Sequence, residues 1–389
     1  MAVRAYNVPA FGASPERSLM KKVGGMTDRT AQAMTVYVGG YSDPDRDGRG
    51  AGIEVFDMDA ATGTLTLVQT VADIANPSFL ALHPTRPFLY SVNGGNATGA
   101  SAFSIEPSSG RLTPINNVSS LGNNPAYIAV DPTGHFVLLA NYSGGSASVV
   151  PIRDDGGLRE VSHVIHHAGP RGPVDGRQND PHPHMILPDP SGRFVLVNDL
   201  GVDRTYVYRL DITKGTLVPH DPPWVAAVPG GGPRHLAFHP NGRRMSVINE
   251  LNSTITTFNW SAELGLLSPI QTISTLPDGN TVANSTAQIV VHPSGRFLYG
   301  SNRGHDSIAI FESEPESGML ALKGTEPTRG RTPRNFNIDP SGTFLFAANQ
   351  DTDTVVTFRS DTATGGLTPT GQVLAIGSPS CVIFRPRSQ

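Results

Sequence analysis

The sequence predicts an all-β fold, a seven-bladed β-propeller of four-stranded antiparallel blades with one blade closed by both termini. Three observations carry this expectation. A phrase of His or Asp followed by Pro, a strand-forming run and Asn occurs six times, as HPTRPFLYSVN from His83, DPTGHFVLLAN from Asp131, DPSGRFVLVND from Asp189, HPNGRRMSVIN from His239, HPSGRFLYGSN from His292 and DPSGTFLFAAN from Asp339, at spacings of 48, 58, 50, 53 and 47 residues. A short β-run precedes each copy (NPSFLAL, NPAYIAV, HPHMILP, GPRHLAF, STAQIVV and TPRNFNI), and a seventh, SPSCVIF, occupies Ser378 to Phe384. Behind each copy come two strands joined by a Gly-containing turn, as in VVTFRSDTATGGLTPTG from Val355. A four-stranded unit at this period reads as a propeller blade, because each unit hides its apolar faces only by stacking on its neighbours.

The ends complete one another. SPSCVIF supplies the first strand of the seventh blade and TVYVGGY, Thr35 to Tyr41, its second, so the ring is latched shut by strand pairing. A two-sheet sandwich or a string of β domains explains neither the period nor the complementary termini. The expected organisation is an N-terminal extension over 1–34, the propeller over 35–385 and a short tail over 386–389. The extension carries three arginines, two lysines and little apolar periodicity up to Ala33, and reads as disordered. A transit peptide and a start at Met34 are the alternatives.

Composition agrees with many short strands and narrows the function classes. Hydrophobic residues make up 38% and charged residues 16% of the chain, with 42 Gly and 33 Pro to supply turns. The formal net charge of -4 gives no general attraction for nucleic acid or an anionic membrane, so neither is an expected partner. Cys381 is the single cysteine, which excludes an intrachain disulfide and a multi-cysteine zinc site and suits a reducing compartment. With no apolar run of membrane-spanning length and no secretory h-region, the expected location is cytoplasmic. Asn-X-Ser/Thr sequons, among them those at Asn96, Asn117, Asn141, Asn252 and Asn284, would matter only in a secreted eukaryotic protein.

Equivalent positions of successive blades form rings around the channel. The residue after the blade-opening Pro position reads Ser78, Ala126, His184, Arg234, Ala287, Arg334 and Ser380. The next reads Phe79, Tyr127, Met185, His235, Gln288, Asn335 and Cys381, and the one after the upper Asn reads Gly94, Tyr142, Leu200, Glu250, Arg303 and Gln350. Placing His or Arg where the repeat takes small residues costs desolvation unless the group faces water or a ligand, so one rim of the channel is the candidate site. The bland reading is that pairs such as Arg234 with Glu250 merely clasp blades together. The connection from His163 to His184 is longer than the other loops and reaches the same rim, and long loops in compact folds are often functional. His163, His166 and His167 are expected to decorate it. His182 and His184 could join His235 as zinc ligands, but their spacing is not a metal motif, and no metal or cofactor is expected. Asn93, Asn141, Asn249, Asn302 and Asn349 recur without other chemical signal and read as turn and blade caps.

Taken together, YVGGYS, NPSFLALHP, DPTGHFVLLANYSGGS, PHPH, GPRHLAFHPNG, INE, SNRGHDSIAIF, and TPRNFNIDPSG with ANQDTDTVV resemble the seven-bladed propeller lactonase family, over about residues 35 to 385. That family includes a bacterial type of 6-phosphogluconolactonase and the fungal carboxy-cis,cis-muconate lactonizing enzyme. The resemblance implies catalytic roles for His184, Arg234 and Glu250, with His182 beside His184 as a substrate contact. It implies a substrate-binding role for Arg303. From the rim itself come Arg334, His235, Gln288 and Asn335 as further substrate contacts. Gln288 departs from the family, where Glu is common in this context, which puts either the substrate or the activity in question. The implied partner is a small anionic lactone or polycarboxylate. For a phosphorylated lactone, Glu250 or His184 would act as base, Arg234 would stabilise the oxyanion, and Arg303 and Arg334 would hold phosphate. A muconate cyclase could use the same rim, and a non-catalytic binding propeller is the reading from another class.

Overall fold

The computed structural model describes residues 33–44, 47–95 and 98–387. Residues 1–32 of the expected extension, the sequon residue Asn96 and the last two residues of the tail lie outside the described residues. Within them, strands assemble into seven four-stranded antiparallel sheets, six from consecutive strands. The seventh pairs Pro379–Pro386 with Met34–Gly40, followed by Ile53–Met58 and Leu65–Val71. Its register runs from Met34 opposite Pro386 to Gly40 opposite Pro379, one residue beyond 35 and 385 at the two ends.

Burial follows each strand's place in its blade. Phe136–Asn141 and Phe344–Asn349 are buried at every position, because neighbouring blades cover both faces of these second strands. The outermost strand Leu367–Ala375 mixes buried and exposed residues, as expected of a strand wetted on one side. Tyrosines tie blade to blade: the hydroxyls of Tyr37, Tyr90 and Tyr299 donate to the carbonyls of Gly110, Gly156 and Gly365 at 2.9, 3.0 and 2.8 Å.

The alternation of His and Asp in the repeated phrase has a physical basis. Both cap the turn that follows. Asp339 accepts from the backbone N–H groups of Phe344, Thr343 and Ser341 at 2.6, 2.9 and 2.9 Å. His83 accepts from the N–H of Arg86 at Nδ1, at 3.0 Å, and uses Nε2 to donate to the carbonyl of Gly134 in the next blade, at 3.1 Å. His239 and His292 make the same bond to Gly295 and Gly342, at 2.8 and 3.0 Å. Gly134 has φ of 73°, and a Cβ there would lie 2.4 Å from the His83 ring, so the contact requires glycine twice over. Asp339 is only 2% exposed. Asp339→Ala is therefore expected to cost about 2–3 kcal/mol by stranding buried donors, read as a lower urea midpoint at unchanged slope.

The long connection is shorter and better anchored than its sequence suggests. His163–His166 pairs with Ser146–Pro151 as an outer strand, so the excursion begins at His167. Nor does His167 decorate a loop. Its Nδ1 meets Oδ2 of Asp199 at 2.7 Å with both side chains inaccessible, because this buried pair pins the start of the excursion to the third blade. Gln178 pins its end, donating to the Leu200 carbonyl and to Oδ1 of Asp203, both at 2.8 Å.

Candidate functional site

The position after the blade-opening Pro reaches the channel mouth because the strand is bulged there. The pairing of Pro183–Pro188, Pro233–Phe238 and Pro333–Ile338 with their neighbours shifts between Pro183 and Met185, Pro233 and His235, and Pro333 and Asn335. The skipped residues are His184, Arg234 and Arg334. A bulge leaves its extra residue unpaired and re-aims the side chain, which is why this ring holds ligand-facing chemistry instead of sheet packing.

Glu250 follows the upper Asn of the fourth blade and anchors the cluster. Its Oε2 accepts from Nε of Arg234 at 2.7 Å and pairs with Nη2 of Arg303 at 3.1 Å, while Oε1 accepts from Nη2 of Arg177. Burial alone would push the Glu250 carboxyl up, but Arg303, Arg234 and Arg177 outweigh it and hold it well below the usual carboxylate range. Burial and Arg303 lower Arg234 to about 9 against the pull of Glu250, so it stays charged at neutral pH. Arg234 and Glu250 belong to one blade, so their pair does not itself clasp two; Nη1 of Arg234, donating to the Ala287 carbonyl at 2.6 Å, and Glu250, paired with Arg303, reach the fifth blade. The pair borders open space as well.

That space is a cavity of about 260 Å³ lined by Tyr41, Tyr142, Arg177, His184, Glu250, Arg303 and Arg334, among others. A narrower recess continues inward past His184 and Arg334 to Arg234, His235 and Phe79, whose ring centroid lies 4.0 Å from that of Tyr127. The His184 and His235 rings are 5.1 Å apart and both are buried. Burial, and after it the charge of Arg234, holds each imidazole well below its ordinary range, so both are neutral at neutral pH. The tautomer of His235 follows from its partners. Nη1 of Arg234 can only donate, so Nε2 of His235 accepts it at 3.3 Å, and Nδ1–H donates to Oε1 of Gln288 at 2.6 Å. Nδ1 of His184 is buried with no hydrogen-bond partner among the described residues.

The expected site residues separate. His184, Arg234, Glu250, Arg303 and Arg334 converge on the cavity and its recess, with His235 at the recess floor. His182 does not face it: its ring stacks on Tyr142 at 4.5 Å and its Nδ1 meets the Tyr142 carbonyl at 2.9 Å. It is thus turned away from His184 and His235, and among the described residues no group of three His, Cys, Asp or Glu is arranged to hold a metal. Gln288 and Asn335 lie further along the inner strands and line a second cavity of about 250 Å³ beyond Phe79 and Tyr127. Oδ1 of Asn335 accepts from the N–H of Val382 at 3.1 Å, joining the sixth blade to the seventh, so Asn335 is a blade contact away from the first cavity and its recess. Gln288 reaches the site only through His235. Sequence reasoning missed Arg177, whose loop has no counterpart in the repeat, and Tyr41, over which the Arg334 guanidinium sits at 5.2 Å.

Comparison with known proteins identifies the family to which this fold belongs. The family pattern described as "Lactonase, 7-bladed beta-propeller" matches residues 35–384. A protein of Bacillus subtilis named 6-phosphogluconolactonase is 36% identical over 307 residues, covering 79% of this chain and 86% of its own. One of the same name from Formosa agariphila is 34% identical over 313 residues, 78% and 86% of the two chains. The structure titled as the periplasmic gluconolactonase of Pseudomonas aeruginosa superposes with a TM-score of 0.85 at 32% identity, covering 92% of this chain and all of its own.

Proposed function

The chain belongs to the seven-bladed β-propeller lactonase family and is a lactone hydrolase, and from that premise we propose that its substrate is 6-phosphogluconolactone, hydrolysed to 6-phosphogluconate. The observation that supports this reading is a cavity faced by three arginines and one carboxylate, with a fourth arginine in its recess beside a neutral buried imidazole. Arg177, Arg234, Arg303 and Arg334 carry four positive charges and Glu250 one negative, an excess of three that suits a phosphate dianion and a developing oxyanion.

In this mechanism His184 takes a proton from water as the water oxygen attacks the lactone carbonyl carbon. The oxyanion of the tetrahedral intermediate forms against Arg234, whose Nη2 meets no protein acceptor among the described residues. Collapse breaks the ring C–O bond, and the His184 imidazolium returns its proton to the departing alkoxide, leaving the open hydroxy acid. Arg303 and Arg334 hold the phosphate. Glu250 is poorly placed to be the base, because three guanidiniums stabilise its charged form and leave it little basicity. It works as the strut that fixes Arg234 and Arg303.

The reading implies a pH profile. The active form of His184 is neutral, and its proton affinity lies well below the ordinary imidazole value of 6.5, so kcat/KM should be flat through neutrality and fall only on acidification below that value. An acid limb centred at or above 6.5 would remove His184 as the base.

The direct test is hydrolysis of freshly generated 6-phosphogluconolactone by purified protein against its spontaneous background, with carboxy-cis,cis-muconate offered in parallel. Acceleration of lactone opening is expected and would put the protein in the pentose phosphate route. Turnover of the muconate alone would replace this reading with cyclisation, which the same cationic cavity also suits. We assign the protein to the cytoplasm on its single cysteine, an assignment that fractionation against a periplasmic marker would test.

A further inference from the structure

The mechanism above uses His184, Arg234, Arg303, Arg334 and Glu250 and leaves Arg177 unassigned. We propose that Arg177 selects for a phosphorylated substrate, leaving Glu250 and closing on the phosphate from the mouth of the cavity. The inference rests on the lactonase reading and adds to it the residue that decides substrate class.

Three observations support the assignment. Arg177 is surplus to the strut: Oε2 of Glu250 is already held by Arg234 at 2.7 Å and Arg303 at 3.1 Å, and Arg177 meets only the other oxygen. Its side chain is 43% exposed where those of Arg234 and Arg303 are 2% and 13% exposed, so leaving Glu250 strands no buried cation, and Glu250, which lines the cavity, keeps its other oxygen paired to Arg234 and Arg303. Its backbone is nonetheless fixed, since the adjacent Gln178 is buried and bonded to Leu200 and Asp203 at 2.8 Å each. The loop therefore presents a positioned guanidinium whose tip can change partner.

Location gives the specificity. Arg177 lines the outer cavity but not the inner recess, where Arg234 and His235 sit. A lactone carbonyl placed at Arg234 and His184 leaves the remote end of the molecule toward the mouth. A phosphate there offers two charges and three acceptor oxygens against the single charge of Glu250, and a guanidinium fork matches it with paired donors. A hydroxymethyl group offers no charge to draw Arg177 away from Glu250.

The test is calorimetric binding of 6-phosphogluconate and of gluconate to the full-length protein and to Arg177→Gln and Arg177→Lys. Losing a charged hydrogen-bonding partner should weaken 6-phosphogluconate binding by about 10- to 100-fold in Arg177→Gln, against at most about 3-fold for gluconate, with part of the loss restored in Arg177→Lys. Equal weakening of both ligands would show that Arg177 acts only through Glu250, and no weakening of either, or no preference of the unaltered protein for the phosphorylated ligand, would also overturn the proposal. Melting temperatures verify that each variant is folded. Failure of the lactonase reading shows separately, as absent turnover of the lactone by the unaltered protein.

Discussion

Replacing His184 by asparagine is expected to lower kcat for lactone hydrolysis by about 10²- to 10⁴-fold, the range general-base catalysis contributes. Asparagine keeps a polar side chain at the bulge but cannot take a proton at neutral pH. The neighbouring imidazole cannot substitute for it. His235 has both ring nitrogens engaged, one accepting from Arg234 and one donating to Gln288. The variant should also lose the acid limb of the pH profile, because the titrating group is gone. A defect confined to KM would make His184 a binding residue and leave the water to another base.

Glu250→Ala should be the most destabilising single change in the site. Glu250 and Arg234 have side chains 5% and 2% exposed, and removing the carboxylate leaves buried guanidiniums facing one another. Breaking a buried pair from one side costs about 3–5 kcal/mol, against far less for removing an exposed partner. Arg177, 43% exposed, contributes little to that figure. Denaturant titration would measure the loss. Inorganic phosphate should stabilise Glu250→Ala more than the unaltered protein, since an anion bound by the native state alone raises its stability and the variant has an unbalanced cationic cavity to fill. Equal stability of the two proteins would mean that the arginines relax to solvent when their anchor is removed.

Much of this was legible in the sequence because a propeller writes its geometry as a repeat. Aligning blade starts put His184, Arg234 and Arg334 in one ring, and aligning the upper Asn positions put Glu250 and Arg303 in another, and the structure brings both to one cavity. The repeat could not say how far into the channel each residue reaches. Gln288 and Asn335 sit one step along the strand from the mouth, and that step carries them past Phe79 and Tyr127 into the second cavity. His182 precedes the bulge and packs on Tyr142. Arg177 was invisible for the opposite reason: it belongs to an insertion, so no sister blade marks its position.

The split blade also sets the order in which the protein can be completed. Met34–Gly40 leaves the ribosome long before the strand that covers its inner edge, Pro379–Pro386. Roughly 340 residues separate the two, which at about 5–20 residues per second is some tens of seconds of synthesis. For that interval the first finished strand carries an open hydrogen-bonding edge of buried-type residues, a template for pairing with the wrong chain. Translation speed and chaperone access are thus part of the yield of this fold, and a chain cut short before Pro379 exposes the same edge permanently.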